Sequence, residues 1–412
     1  MSDQDPHHAR RREIRLHQAE RRRAVRRRRV TALVVLAVVV VVFGLLLARI
    51  ASGGTPAQAG ATGRAGSTHD SGSTHPASTG PASDPAGSSE QPPPPTGAVT
   101  ISAVGDTMIG TTAEPAPSPS TYFNSVKSSI PADVAFANLE GTLTNQTSGK
   151  CASLPAGTCY EFKLPPTYAR YYKQAGFTMM SNGNNHAFDF WQAGLDDTVA
   201  ALDRGGLDHT GRTTEITYVD VRGIRTAWIG FGPYPNNAPL NDFTRARRLI
   251  HKADADADLV VVSMHAGAEG SAAQHLTGAD EIYYGENRGN PEAFARMAID
   301  AGADLVLGSG PHVLRAMEFY KQRLIAYSLG DFAGYHNFGI DGVLGVSAIL
   351  RVKLDATGKF LAGRIIPVRL VGAGQPVIDS SGAGISVISE LSREDIGARA
   401  PRISPSGVIS EP

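Results

Sequence analysis

Only two cysteines, Cys151 and Cys159, occur in the 412 residues of this chain, which sets aside a cysteine-ligated metal centre. Net charge is also absent, 39 basic residues standing against 39 acidic ones, and no internal repeat runs through the sequence. Hydrophobic residues make up 42% and charged residues 19%, which excludes a coiled coil or a wholly disordered chain. The zero total hides an asymmetry. Eleven arginines lie within residues 1–29 against four acids, Asp3, Asp5, Glu13 and Glu20, so the remainder carries 28 basic and 35 acidic residues. A body at −7 has no basic surface with which to track a nucleic-acid backbone, and no nucleic-acid partner is expected.

Residues 30–48 form an uncharged apolar run ending at Arg49-Ile50, long enough to span a bilayer. The alternative is a cleaved signal peptide, but those have a shorter apolar core and an Ala-x-Ala-like site. A transmembrane anchor at 30–50 is therefore expected, with the basic tail 1–29 cytoplasmic by the positive-inside rule and the rest extracytoplasmic at the plasma membrane. The arginine block also reads as a nucleic-acid tag, though its adjacency to the apolar run makes orientation on anionic lipid the simpler account. Residues 51–98 are mostly Gly, Ser, Thr, Ala and Pro, without apolar periodicity, and are expected to be a disordered linker.

Folded sequence is expected from residue 99, as a domain over 99–375 followed by a C-terminal extension over 376–412 that packs partly on it. β-rich apolar runs recur at 99–104, 134–137, 177–180, 226–231, 259–264, 305–307 and 324–329, most ending in a polar or metal-capable residue. Helical stretches fit between them at 166–174, 191–204 and 291–301, each followed closely by glycine. Strands alternating with helices predict an α/β domain with its chemistry collected at strand ends.

The polar residues at those ends form the candidate site. Asp106 follows the first run as an exposed strand-end acid, or as a turn acid. Asn138 and Glu140, two residues apart, face the same way if extended. Gly183-Asn184-Asn185-His186-x-x-Asp189 packs an amide, an imidazole and a carboxylate into one turn: Asp189 can orient His186 as a general acid, and Asn185 can ligate a hard cation. His265 closes the most hydrophobic strand, with Glu269 just beyond it, and His312 sits in a Gly/Pro loop past another. Mixed N/O ligation of one or two divalent ions follows, imidazole suiting Zn or Fe and carboxylate suiting Mn or Mg.

Gly105-Asp106-Thr107-Met108-Ile109-Gly110, Ala137-Asn138-Leu139-Glu140, Asn184-Asn185-His186-x-x-Asp189, His265-x-Gly267-x-Glu269, Gly310-Pro311-His312-Val313-Leu314 and Tyr327-Ser328-Leu329-Gly330-Asp331-Phe332 resemble, in order, the signature of the CapA (PgsA) family of capsule and poly-γ-glutamate biosynthesis. That resemblance implies a calcineurin-like metallophosphoesterase αββα sandwich. It also implies Asp106, Glu140, Asn185, His265 and His312 as metal ligands and His186, backed by Asp189, beside the scissile bond. Asn138, Glu269 and Asp331 are expected to support them. The implied partners are an anionic polymer such as poly-γ-glutamate or a capsule precursor, and other membrane proteins of an assembly or export complex.

Departures from the metallophosphoesterase pattern are specific. Met108 stands where a histidine is usual after Asp106, Glu140 replaces an aspartate, and Ser309 and Gly310 take places commonly including a histidine. Asp331 stands where many relatives have asparagine. Arg245, Arg247, Arg248 and Lys252 form a basic run that reads either as a solvated helix face or as a patch for a polyanion. Cys151 and Cys159 are close together in a loop expected to lie in an oxidising location, which predicts a local disulfide stiffening one wall of the pocket, free thiols being the alternative.

Overall fold

The computed structural model describes residues 97–111, 114–155 and 158–412. The basic tail, the expected anchor at 30–50 and nearly all of the expected linker lie outside the described residues. No helix among the described residues is long and apolar enough to cross a membrane.

Two mixed sheets form in succession along the chain. β1 (Ala98–Met108), β2 (Val134–Leu139), β3 (Met179–Ser181) and β4 (Asp208–Thr210) lie side by side and parallel. The chain then starts the second sheet, where β5 (Thr217–Val221) pairs antiparallel with β6 (Ile224–Gly232). β7 (Leu259–His265) and β8 (Leu305–Ser309) extend that sheet in parallel. The hairpin of β9 (Met317–Tyr320) and β10 (Arg323–Ala326) closes its edge. β11 (Asp331–Gly334) returns to the first sheet, parallel to the end of β1. β12 (Val346–Asp355) and β13 (Phe360–Val371) complete it antiparallel, and strands Gln375–Ile378 and Val408–Ser410 pair with β13.

Alternation along the strands divides the core into three layers. Val134 and Phe136, with Leu259 and Val261 opposite, fill the space between the sheets, where Phe136 stacks on Trp228 with ring centroids 5.8 Å apart. Their neighbours Ala135 and Ala137 face outward onto helix α1 (Ala169–Ala175) and helix α2 (Trp191–Arg204). Val260 and Val262 face outward onto α3 (Phe243–Asp256) and α4 (Pro291–Asp300). A period of two on strands buried on both faces thus gives helix, sheet, sheet and helix in four layers. Local chemistry agrees with the boundaries: Asp242 accepts from the Arg245 N–H at 3.0 Å and Asn290 from the Ala293 N–H at 2.9 Å, each capping its helix. The basic run 245–252 lies along α3 with Arg245, Arg247, Arg248 and Lys252 all exposed.

One feature of β1 differs from the expectation. The strand does not stop at Gly105-Asp106 but runs on to Met108, exchanging one neighbour for another: residues 98–103 pair with β12 and residues 106–108 with β11. Asp106 is consequently fully buried, with the sheet continuing past it. The exchange brings two backbones into contact. A Cβ added at Gly105 would lie 1.9 Å from the Gly330 carbonyl oxygen, and the Asp106 N–H donates to that same oxygen at 2.9 Å. Gly105→Ala is accordingly expected to lower stability by about 3 kcal/mol, since backbone cannot swing aside as a side chain can. Urea unfolding checks this, and an unchanged midpoint would mean that β1 and the 329–331 turn separate freely.

Candidate metal and acid-base site

The candidate residues gather at the C-terminal ends of the parallel strands of both sheets. Asp106 lies near the end of β1, Asn138 and Glu140 at the end of β2, Asn184 to Asp189 beyond β3, His265 at the end of β7 and His312 beyond β8. Asp331 opens β11 and is the register partner of Asp106. A cleft at carboxyl strand ends is where open α/β sheets collect their chemistry, because loops of several strands converge there.

Two triads of ligand-capable atoms share one residue. Asp106, Glu140 and His265 form one; Asp106, His312 and Asp331 form the other. His265 Nδ1 stands 3.8 Å from Asp106 Oδ1 and 3.5 Å from Glu140 Oε2. His312 Nδ1 stands 3.3 Å from Asp106 Oδ2 and 2.7 Å from Asp331 Oδ1. Asn138 ties the first triad together, its Nδ2 donating to Asp106 Oδ1 at 2.7 Å and to Glu140 Oε2 at 2.6 Å. Gly310 donates its N–H to Asp106 Oδ2 at 3.1 Å. This is a place for glycine: its φ is +108°, and a Cβ there would press on the His265 ring at 3.1 Å.

Burial sets the electrostatics. It alone would raise the Asp106 carboxyl, but the hydrogen bond and charge of His312, aided by His265 and the Gly310 N–H, hold it well below the usual range. Glu140 is pushed well above its ordinary value by burial and then by the charge of Asp106. Burial drives His265 down to about 3 and Asp331 up to about 7, the latter against the pull of His312. His312 rises well above its ordinary value because Asp331 and Asp106 outweigh its desolvation. Three buried carboxylates thus share too little positive charge. Glu140 Oε1, Asp331 Oδ2, Asn185 Oδ1 and His265 Nε2 are buried without a hydrogen-bond partner. Unpaired buried donors and acceptors of this kind fit a divalent cation with mixed N/O ligation.

Beside the triads stands the candidate pair of His186 and Asp189. His186 Nδ1 is 2.8 Å from Asp189 Oδ2, and Asp189 is fully buried. Lys150 Nζ reaches Asp189 Oδ1 at 2.6 Å, and the Phe162 N–H donates to Asp189 Oδ2 at 2.6 Å. The Phe162 ring lies 4.3 Å from the His186 ring. These contacts hold the imidazole through Nδ1 and the face of its ring. Cys151 and Cys159 form the expected disulfide, and Lys150 and Phe162, which reach Asp189, flank the bridged segment in the chain. Replacing both cysteines by serine is expected to remove about 2.5 kcal/mol, the closure entropy of a loop this short, without changing metal content. Denaturant unfolding alongside elemental analysis separates the two effects; lost metal at undiminished stability contradicts the buttressing role.

Further contacts at the site come from residues that the sequence gives no role or only a minor one. Asn184 is fully buried and donates to Asn138 Oδ1 at 3.0 Å and to the Leu139 carbonyl at 2.8 Å, while its own Oδ1 accepts from the His186 N–H. Its signal is present in the Asn-Asn pair, where the motif alone points to Asn185. Ser309 Oγ lies 3.1 Å from His265 Nδ1. Glu269 stands 3.9 Å from His312 Nε2 and is held by Arg288 at 2.8 Å. Nothing local in the sequence marks Arg288, whose contacts depend on tertiary proximity.

The loop carrying Glu269 is fastened by a buried pair. Arg315 donates in bidentate fashion to Glu281 at 3.0 and 2.8 Å, and its Nε donates to the Ala273 carbonyl at 2.7 Å. Glu281 in turn accepts from the Ala268 N–H at 2.7 Å. Arg315→Met strands a buried carboxylate, and a loss of about 3 kcal/mol is expected. Thermal and urea unfolding of that variant test the assignment, which fails if stability is unchanged.

The bacterial capsule synthesis protein family PGA_cap matches residues 100–335 of this chain. The capsule biosynthesis protein CapA of Bacillus anthracis is 33% identical over 180 residues, covering 39% of this chain and 41% of that protein. The PGA biosynthesis protein CapA of Bacillus subtilis is 30% identical over 208 residues, covering 42% and 51%. The chain therefore spans about half the length, or less, of these relatives. Among solved structures, a hypothetical protein from Thermus thermophilus aligns with TM-score 0.40 at 17% identity, over 65% of this chain and 99% of that one. A 5'-nucleotidase precursor from the same organism aligns with TM-score 0.35 at 15% identity, over 70% and 57%. Likenesses at that level say nothing about chemistry.

Proposed function

Because this chain belongs to the bacterial capsule synthesis protein family, we propose that it acts in capsule or poly-γ-glutamate biosynthesis or export, holding an anionic polymer at a divalent-metal site. The observation that carries this reading is that both ligand triads and the His186–Asp189 pair fall inside the matched span 100–335. In this reading the domain is extracytoplasmic, anchored through residues 30–50, and works beside other membrane proteins of the assembly.

Asp106, Glu140, His265, His312 and Asn185 are the residues proposed to hold one or two ions. A divalent ion so held supplies Lewis-acid polarisation of a phosphoryl, carbonyl or carboxylate oxygen. The protein's own contribution is separable from this. Asn138 and Gly310 fix the Asp106 carboxylate, and Asp189 fixes the His186 ring so that Nε2 can give a proton to a leaving oxygen or nitrogen.

A second reading, hydrolysis of a phosphoester on a small substrate, is favoured by that same pair, since a scaffold that only binds polymer has no need of an oriented imidazole. The full chain, incubated with Mn or Zn and freed of excess, is expected to retain stoichiometric metal by elemental analysis and to lose it with His265→Ala or Asp106→Ala. His186→Ala is expected to keep the metal while lowering turnover of a phosphoester or of poly-γ-glutamate by about 100-fold. Absence of bound metal in the unaltered chain leaves a non-catalytic scaffold as the function.

A further inference from the structure

The sequence pattern gives Asp331 only a supporting role, yet its geometry differs from that of a supporting carboxylate. A carboxylate that merely orients a metal-bound histidine sits on the ring nitrogen facing away from the metal. Here Asp331 Oδ1 and Asp106 Oδ2 flank the same nitrogen, His312 Nδ1, at 2.7 and 3.3 Å. The other nitrogen, Nε2, faces Glu269 at 3.9 Å, which leaves Glu269 as the outer carboxylate. Asp331 is 1% exposed, and its second oxygen, Oδ2, has no hydrogen-bond partner. It is also the register partner of Asp106 on the adjoining strand, so the backbone fixes the spacing of the two carboxylates.

Asp106 meets this arrangement with one oxygen to each side. Its Oδ1 faces Asn138 and His265 of the first triad, and its Oδ2 faces Gly310 and His312 of the second. Resting on the metal-site reading above, we infer that Asp331 is a direct ligand of a second divalent cation, completing with His312 and Asp106 a site next to that of Glu140 and His265, with Asp106 bridging. Two carboxylates and one imidazole form an oxygen-rich donor set that suits Mn better than a thiolate- or histidine-rich site would.

The test uses Mn as probe on the purified full chain, with stoichiometry from elemental analysis and affinity from calorimetric titration. Two equivalents are expected in the unaltered chain. Asp331→Asn keeps the shape and an acceptor toward His312 but removes the charge; it is expected to keep the first equivalent and weaken the second by about 10- to 100-fold. Two equivalents of unchanged affinity in Asp331→Asn overturn the assignment while leaving the metal-site reading intact, as does a single equivalent in both proteins. No metal in the unaltered chain overturns both. Should the variant fail to fold, electron paramagnetic resonance of the Mn-saturated unaltered chain decides: a spin-coupled pair is expected from a carboxylate bridge, and the spectrum of isolated Mn overturns the inference.

Discussion

The carboxylate of Asp106 is the constraint on which the arrangement of the site depends. It is fully buried on β1 of the first sheet, yet the Gly310 N–H and the His312 ring that hold Oδ2 come from a loop of the second sheet. A charge in that position is tolerable only if both sheets stay in register at their C-terminal ends. The chain meets this requirement with close backbone approach. Gly105 lets the turn before β11 lie against β1, which places Asp331 beside Asp106, and Gly310 lets the loop after β8 pass over the His265 ring. The aromatic stack of Phe136 on Trp228 sits between the same two sheets and sets their separation from within. Core packing and site geometry are therefore one problem in this domain.

Much of this was legible in the residues. The strands at 134–139, 259–265 and 305–309 show apolar residues on both faces, the pattern of strands covered on each side, and helix α2 begins and ends where glycine and an apolar stripe suggested. The candidate residues could be picked out because most end such a run. Asp106 misled in one respect: Gly-Asp after an apolar run reads as a turn, whereas the glycine here serves a strand that changes partner and continues. Strand exchange is invisible to a single-segment pattern, since it depends on what lies alongside.

The residues that sequence reasoning left out share a different property. Lys150, Phe162, Arg288 and the Arg315–Glu281 pair act on the site across long separations in the chain, through contacts that no spacing rule connects. Asn184 is the instructive case, since it lies within a quoted motif. Two adjacent amides are visible there, but only the fold decides which is bonded: Asn184 binds Asn138 and the Leu139 carbonyl, while the buried Asn185 oxygen remains without a partner. The Asn184 contacts are set by the packing of the turn against β2.

Charge finally bears on what the site can accept. Asp106, Glu140, Glu269 and Asp331 all lie at it, on a body whose residues past the basic tail sum to −7, and Arg288 is already paired with Glu269 and Glu286. The exposed cations of α3 belong to a helix that covers the outer face of the second sheet, so they do not offset those acids at the strand ends. An anionic polymer or phosphoester approaching such a cluster meets repulsion unless the site itself is positive. His312 supplies one charge at most, held between two carboxylates. In the proposed reading, divalent cations would change the sign of that balance, and the same ions would relieve the unpaired oxygens of Glu140 and Asp331. On that reading, the acidity that would turn an anion away is the property that would let the site gather the cations needed to receive it.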